Sequence, residues 1–274
     1  MKQTYSLAQL TVLLKCSPPE LIYTAALVGY DCVSLRLIPI TAEEPRFPLA
    51  EDKEMLRQTR SALAATGIKV HGIDLARIVD GVSPRTYLPA MEIGAELGAC
   101  HLLTSVWSTD RSYAIDALAE LCDLAEPLGL TVDLEFVPIA VVSTLQGAVD
   151  VLNGVNRKNA GIVVDTMHAT LSGMHVEDLD TVPHQWFHVA HLCDVPRDVP
   201  PTREGLTSVI REGRLYAGEG CADIAGILNR IPLVPYMIEL PNVARVKELG
   251  YAEHARRCLQ SAKDCLAARP RRGT

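Results

Sequence analysis

TVDLEFVPIAVVSTLQGAVDVLNGVNRKNAGIVVDT, residues 131–166, carries the reading of the fold. An apolar run of strand length (131–137) gives way to a helical pattern over 143–153 and then to a second apolar run, 161–166. That is a β-α-β unit, which demands a parallel pair of strands. Both strands close on a carboxylate, Glu135 and Asp165. Working outward, FHVAH (187–191) and YMIEL (236–240) repeat the design with His191 and Glu239. Further strands are predicted near 6–13, 31–38, 68–75 and 100–107, with helices near 18–28, 51–66, 84–97, 110–128, 176–181, 221–230 and 244–267. Eight β/α units predict an α/β fold, a single (β/α)8 TIM barrel over 1–268, with 269–274 as a flexible basic tail.

Composition agrees. The chain has 274 residues, 48% of them hydrophobic but only 5% aromatic, which suits layered aliphatic packing between strands and helices. A formal net charge of -7 argues against nucleic acid as a partner. No apolar stretch is long enough to span a membrane. The eight cysteines form no CxxC pair, and no signal peptide opens the chain, so reduced thiols and a cytoplasmic location are expected. A homo-oligomer is left open. The segment 193–220 is long for a loop, and such a loop at a barrel mouth is often functional.

Strand parity turns the four strand ends into one site. Side chains alternate faces along a strand. If Glu135 points into the barrel, so do Asp133 and Thr131, while Val132, Leu134 and Phe136 face the helices. Val163, Val189 and Met237 share the inner face with Asp165, His191 and Glu239. His188, three residues before His191, is expected to face the other way and is excluded as a ligand. Acids that close hydrophobic strands are costly to bury unless paired or metal-bound. Three carboxylates and one imidazole converging at one rim suit a single divalent cation, Mn2+ first, with Mg2+, Co2+ or Zn2+ also compatible. The competing reading makes each acid a strand-end ion pair; four on successive strands favour the metal.

These residues resemble the xylose isomerase-like TIM-barrel superfamily, specifically its sugar phosphate isomerase/epimerase group, which includes ketose 3-epimerases, keto-inositol dehydratases and 3-dehydroshikimate dehydratases. The likeness covers most of the chain and is strongest over 131–242. LEFVP carries the strand-5 Glu135, VVDTMH carries Asp165 and His168, HVAHLCDVPR carries His191 and Arg197, AGEG (217–220) resembles a PGEG loop, and MIELPN carries Glu239. The resemblance implies that Glu135, Asp165, His191 and Glu239 bind the metal. It also implies that Glu135 and Glu239 exchange protons with substrate carbon, and that His168 and Arg197 contact substrate. Arg197 could instead pair with Asp194 or Asp198, and His168 could make a loop hydrogen bond. Val141 departs from the pattern, because the ketose epimerases carry a second Glu there. That favours a cyclic or partly apolar substrate over a free ketohexose.

Other rim positions are less specific. Arg36 could reach an anionic substrate or pair with Glu43 or Glu44. Trp107 could stack on a substrate ring or wall off solvent. Glu219 could brace the site or be a solvated loop acid. His71 reads as a core histidine, and His101 begins its strand, at the wrong end for chemistry. A metal endonuclease of the same fold would need further ligands where Ser105 and Trp107 stand. The expected activity is a metal-dependent isomerase or epimerase of a sugar or sugar-like keto compound, working by proton transfer beside a metal-held carbonyl. The alternative is a dehydratase or other carbon–oxygen lyase on a cyclic keto substrate of the keto-inositol or dehydroshikimate type. Either takes a small sugar or cyclic polyol/keto molecule as its partner.

Overall fold

Eight strands pair in sequence order, every pair parallel, and close on themselves in the computed structural model, which describes residues 3–267. They are β1 (Tyr5–Ala8), β2 (Cys32–Arg36), β3 (Lys69–Ile78), β4 (His101–Val106), β5 (Thr131–Glu135), β6 (Ala160–Asp165), β7 (Phe187–His191) and β8 (Tyr236–Ile238). Around them lie α1 (Pro18–Val28), α2 (Lys53–Thr66), α3 (Leu88–Glu96), α4 (Arg111–Ala125), α5 (Leu145–Val155), α6 (Thr166–Leu171), α7 (Arg203–Glu212), α8 (Ile224–Arg230), α9 (Val243–Leu249) and α10 (Tyr251–Ala267). The expected tail at 269–274 lies outside the described residues.

Local chemistry sets the boundaries. Pro18 and Pro19 open α1 behind a capping box between Ser17 and Glu20, and Gly29 ends it at φ 95°, where a side chain would be strained. Gly250 breaks the expected 244–267 helix into α9 and α10. The first strand is shorter than its apolar run suggests. After Ala8 the chain turns, and side chains take over the pairing: Gln9 Oε1 accepts from the Arg36 amide at 2.8 Å, and the Thr11 hydroxyl donates to the Ile238 carbonyl at 2.8 Å. Residues 176–181 form only a 3-10 turn, and α6 and α7 are helices the sequence reading did not expect.

The core divides as parity requires. Val132, Leu134, Phe136, Ile162, Val164, Tyr236 and Ile238 join the large aliphatic layer between strands and helices. Inside the barrel a separate small cluster holds Ala8, Leu103, Val163, Val189 and Met237.

One strand breaks the alternation. Ile162 pairs with Phe187, but Val163 pairs with Val189, so His188 is an extra residue in β7. The bulge turns His188 inward, contrary to the orientation expected from parity, and its Nδ1 lies 2.5 Å from Asp133 Oδ1. At the N-terminal pole of the barrel Asp133 also meets His101 Nδ1 at 2.9 Å and the Thr131 hydroxyl at 2.7 Å. Burial pushes the Asp133 carboxyl up, but hydrogen bonds from His101 and His188 outweigh it and hold the group well below the usual carboxylate range. Burial likewise opposes charge on His101, yet Asp133 drives it up to about 9. A depressed Asp133 stabilises the fold above the ordinary carboxyl value near ~4 and loses that as pH falls. A raised His101 stabilises fully below the ordinary imidazole value near ~6.5 and loses that as pH rises through about 9. In chelator, thermal melts should therefore show His101→Gln furthest below wild type near pH ~5–6, with the gap closing by pH ~9.

Candidate metal centre

At the opposite, C-terminal pole, Glu135, Asp165, His191 and Glu239 are all buried, and each offers one donor atom within 4.8 Å of the others. β5, β6 and β7 end on the first three, and Glu239 follows β8 directly. Every β/α barrel presents strand ends at this rim, so four strands reach one point without long loops. His191 Nδ1 sits between the acids, 2.9 Å from Glu135 Oε1, 3.6 Å from Glu239 Oε2 and 3.9 Å from Asp165 Oδ2. Glu135 Oε1 and both His191 ring nitrogens nevertheless have no aligned hydrogen-bond partner. Buried lone pairs converging without donors are what a cation satisfies, so the donor set fits a divalent metal. Burial works against charge on His191, but the Glu135 and Glu239 carboxylates hold its pKa well above the ordinary imidazole value.

The sequence reading missed Arg214. It is fully buried, 2% exposed at its side chain, and reaches the quartet from the long segment between β7 and α8. Its Nη1 donates to Asp165 Oδ2 at 2.7 Å and to the Glu239 carbonyl at 2.9 Å, and Nη2 lies 3.0 Å from Glu239 Oε2. Burial pushes both acids up, but Arg214 outweighs it, and both fall below the usual carboxylate range. The remaining Asp165 oxygen, Oδ1, caps α6 by accepting from the amides of Met167 and His168 at 2.8 and 3.0 Å. Charge balance was the available signal. Three carboxylates against one divalent cation would leave one negative charge over in a buried site, which favours a buried cationic side chain nearby.

Asp194 ties the long segment together through four backbone amides. Asp194 Oδ1 accepts from the amides of Val195 and Ala222, and Oδ2 from those of Gly218 and Gly220, at 2.8–3.0 Å. A Cβ at Gly220 would collide with Asp194 and the Val195 carbonyl. Asp194 also bridges Leu215 through the backbone, beside Arg214. Hydrogen bonds to a charged group are worth about 1.5–3 kcal/mol each. Asp194→Ala should therefore lower stability by more than about 3 kcal/mol in urea titrations.

Around the quartet, the other expected residues fall into two sets. His168, buried in α6, points at it, with Nε2 3.9 Å from Glu135 Oε2 and Nδ1 unpartnered. Arg36, 3% exposed, makes no pair with Glu43 or Glu44; its Nε and Nη1 have no partner. Asp74, at the C-terminal part of β3, was not foreseen. It too has a free oxygen, and burial pushes it up to about 7 despite the Arg36 guanidinium. Trp107 is half-buried, donates to Ser105 at 2.8 Å and lies under Arg77 at 3.9 Å. Arg197 is exposed, and Asp194 is fully engaged with backbone amides. Glu219 lies at the surface, paired with Arg245 at 2.8 Å. Val141 is 46% exposed. His71 is buried against His101, and burial lowers it to about 3, as a neutral core histidine.

A family model described as xylose isomerase-like TIM barrel matches residues 22–262. The inosose isomerase of Bacillus subtilis (strain 168) is 30% identical over 155 residues, covering 56% of this chain and 53% of that protein. That of Halalkalibacterium halodurans is 26% identical over 156 residues, again 56% and 53%. The match thus spans about half the length of these relatives. Among solved structures, the IolI protein with a bound zinc atom superposes with a TM-score of 0.82 at 22% identity, over 97% of this chain and 98% of that one. D-allulose 3-epimerase from Methylomonas sp. gives 0.70 at 16%, over 96% and 98%. At these identities the structures speak for the fold.

Proposed function

Since this chain belongs to the xylose isomerase-like TIM barrel family, we propose that it is a divalent-metal-dependent isomerase of a sugar-like ketone, with a cyclic keto-polyol of the inosose type as substrate. The observation that carries this reading is the buried quartet with its unpartnered donor atoms. The inosose isomerase relatives and the exposed, apolar Val141 in place of a sugar-binding acid support the cyclic substrate. Glu135, Asp165, His191 and Glu239 would hold the ion; the carboxylate-rich set suits Mn2+, and Zn2+, present in the IolI structure, is compatible with it. When bound, the cation withdraws electrons from a substrate carbonyl and acidifies the neighbouring C–H.

The chain's own residues do the rest. Glu135 and Glu239 stand three strands apart on the barrel rim, so each can serve a different face of a substrate between them. One takes the proton and the other returns it. Arg214 keeps Glu239 and Asp165 ionised and oriented from behind. His168 can donate to a substrate oxygen beside Glu135, and the free edge of the Arg36 guanidinium can hold a second one. Trp107, held under Arg77, offers a flat wall for a ring. Arg197 would meet substrate only from the outer rim.

The test is product mass spectrometry in D2O with Mn2+ across ketose, keto-inositol and dehydroshikimate panels. Deuterium uptake into keto-inositol without loss of water is expected. Loss of water would replace this reading by the lyase alternative, in which Arg36 would assist departure of a β-hydroxyl. Uptake by none of the panels would refute both.

A further inference from the structure

The N-terminal pole holds a second cluster of metal-ligating side chains that the proposed reaction does not use. We propose that His101, Asp133 and His188 form an accessory site for a divalent ion of imidazole-preferring type, Zn2+ above all. Their donor atoms lie within 4.8 Å of one another. Both Asp133 oxygens face imidazole nitrogens, Oδ1 toward His188 Nδ1 at 2.5 Å and Oδ2 toward His101 Nδ1 at 2.9 Å. Two imidazoles and one carboxylate, with a fourth position open to water, are a familiar zinc donor set.

Two features make this a built site. The first is the β7 bulge, which brings His188 inside the barrel when alternation alone would turn it away. The second is Gly161, where any Cβ would strike both Asp133 Oδ1 and the His188 ring, so the approach of the two ligands depends on a missing side chain. Asp133 is buried, while the His101 and His188 side chains keep 13% and 20% exposure, enough to admit an ion from solvent at this pole. His71 and Cys100 form an adjoining donor set that shares His101, and Cys100 is exposed, placing a soft ligand at the entrance. In the absence of an ion, protons shared between the imidazoles and Asp133 hold the three residues together. Zn2+ would displace them, so binding should release protons and tighten with rising pH. The site stands apart from the quartet: Asp133 precedes Glu135 on β5 and His188 precedes His191 on β7, each toward the opposite end.

The experiment is Zn2+ titration of the chelator-stripped full chain, with bound metal counted by native mass spectrometry and melting followed in parallel. Wild type should take up two ions, His191→Ala one and His188→Ala one, and the double variant none. Zn2+ should raise the melting temperature of His191→Ala and leave that of the double variant unmoved. Asp133→Asn serves as the second variant if His188→Ala does not fold, as judged by circular dichroism. Wild type binding one ion, lost in His191→Ala and kept in His188→Ala, would overturn the proposal while leaving the quartet standing. Equal uptake by wild type and His188→Ala would overturn it as well.

Discussion

Glu135→Gln is expected to lower kcat on the true substrate by about 10²–10⁴-fold, the usual worth of a positioned acid or base, and Glu239→Gln by at least as much. The amide keeps the shape of the carboxylate, with one oxygen still able to face a cation, but it cannot accept a proton. Glu135 should be the cleaner variant. Its Oε1 faces His191 at 2.9 Å, and an imidazole left without that carboxylate can shed its proton, whereas Glu239 Oε2 faces Arg214 at 3.0 Å and a guanidinium cannot. Circular dichroism and urea titration should therefore find Glu135→Gln near wild type and Glu239→Gln destabilised. In D2O the two variants should lose solvent exchange at the substrate carbon together with turnover. Turnover near wild type in either would exclude the two-glutamate scheme.

Arg214→Met is expected to have the largest effect on the fold. Removing one partner of a buried ion pair costs about 3–5 kcal/mol, because the remaining charges stay buried and uncompensated. Here one guanidinium serves Asp165, the Glu239 side chain and the Glu239 carbonyl, so its loss also frees the β8 end of the site. Without Arg214 the two acids should rise toward ordinary carboxylate values or above. A divalent ion should then rescue the variant more than it stabilises wild type, since it takes over the charge compensation that Arg214 supplied. Melting with and without Mn2+ reads both effects. An Arg214→Met protein as stable as wild type without metal would show that the guanidinium is dispensable.

The barrel and the quartet were legible because both rest on the same signal. Apolar alternation that ends on a carboxylate or imidazole marks a strand, its inner face and its C-terminal end at once, and Val163, Val189 and Met237 fall inside as parity demands. Arg214, the inward His188 and the early end of β1 escaped for physical reasons. Arg214 lies in a polar stretch, EGRLYAGEG, with no periodicity to mark it; only tertiary folding of that segment buries it. His188 turned inward through a bulge, and a single extra residue inverts parity without changing composition. β1 ended early because Gln9 and Thr11 satisfy backbone groups that strand pairing would otherwise take. Substrate-facing residues were the least legible. Arg36 and His168 do approach the quartet, whereas Arg197 and Glu219 lie outward, since a motif match carries residue type but not the path of the loop.

In the proposed reaction one cation in the quartet would make the substrate carbon acidic enough for Glu135 and Glu239 to move its proton. The most direct measurement is solvent deuterium uptake by keto-inositol in chelator-stripped protein as Mn2+ is added back. Negligible uptake is expected in the stripped protein and full recovery near one equivalent, with none in Asp165→Asn/His191→Ala. Uptake at the full rate in stripped protein, or unchanged in that double variant, would contradict the proposed reaction.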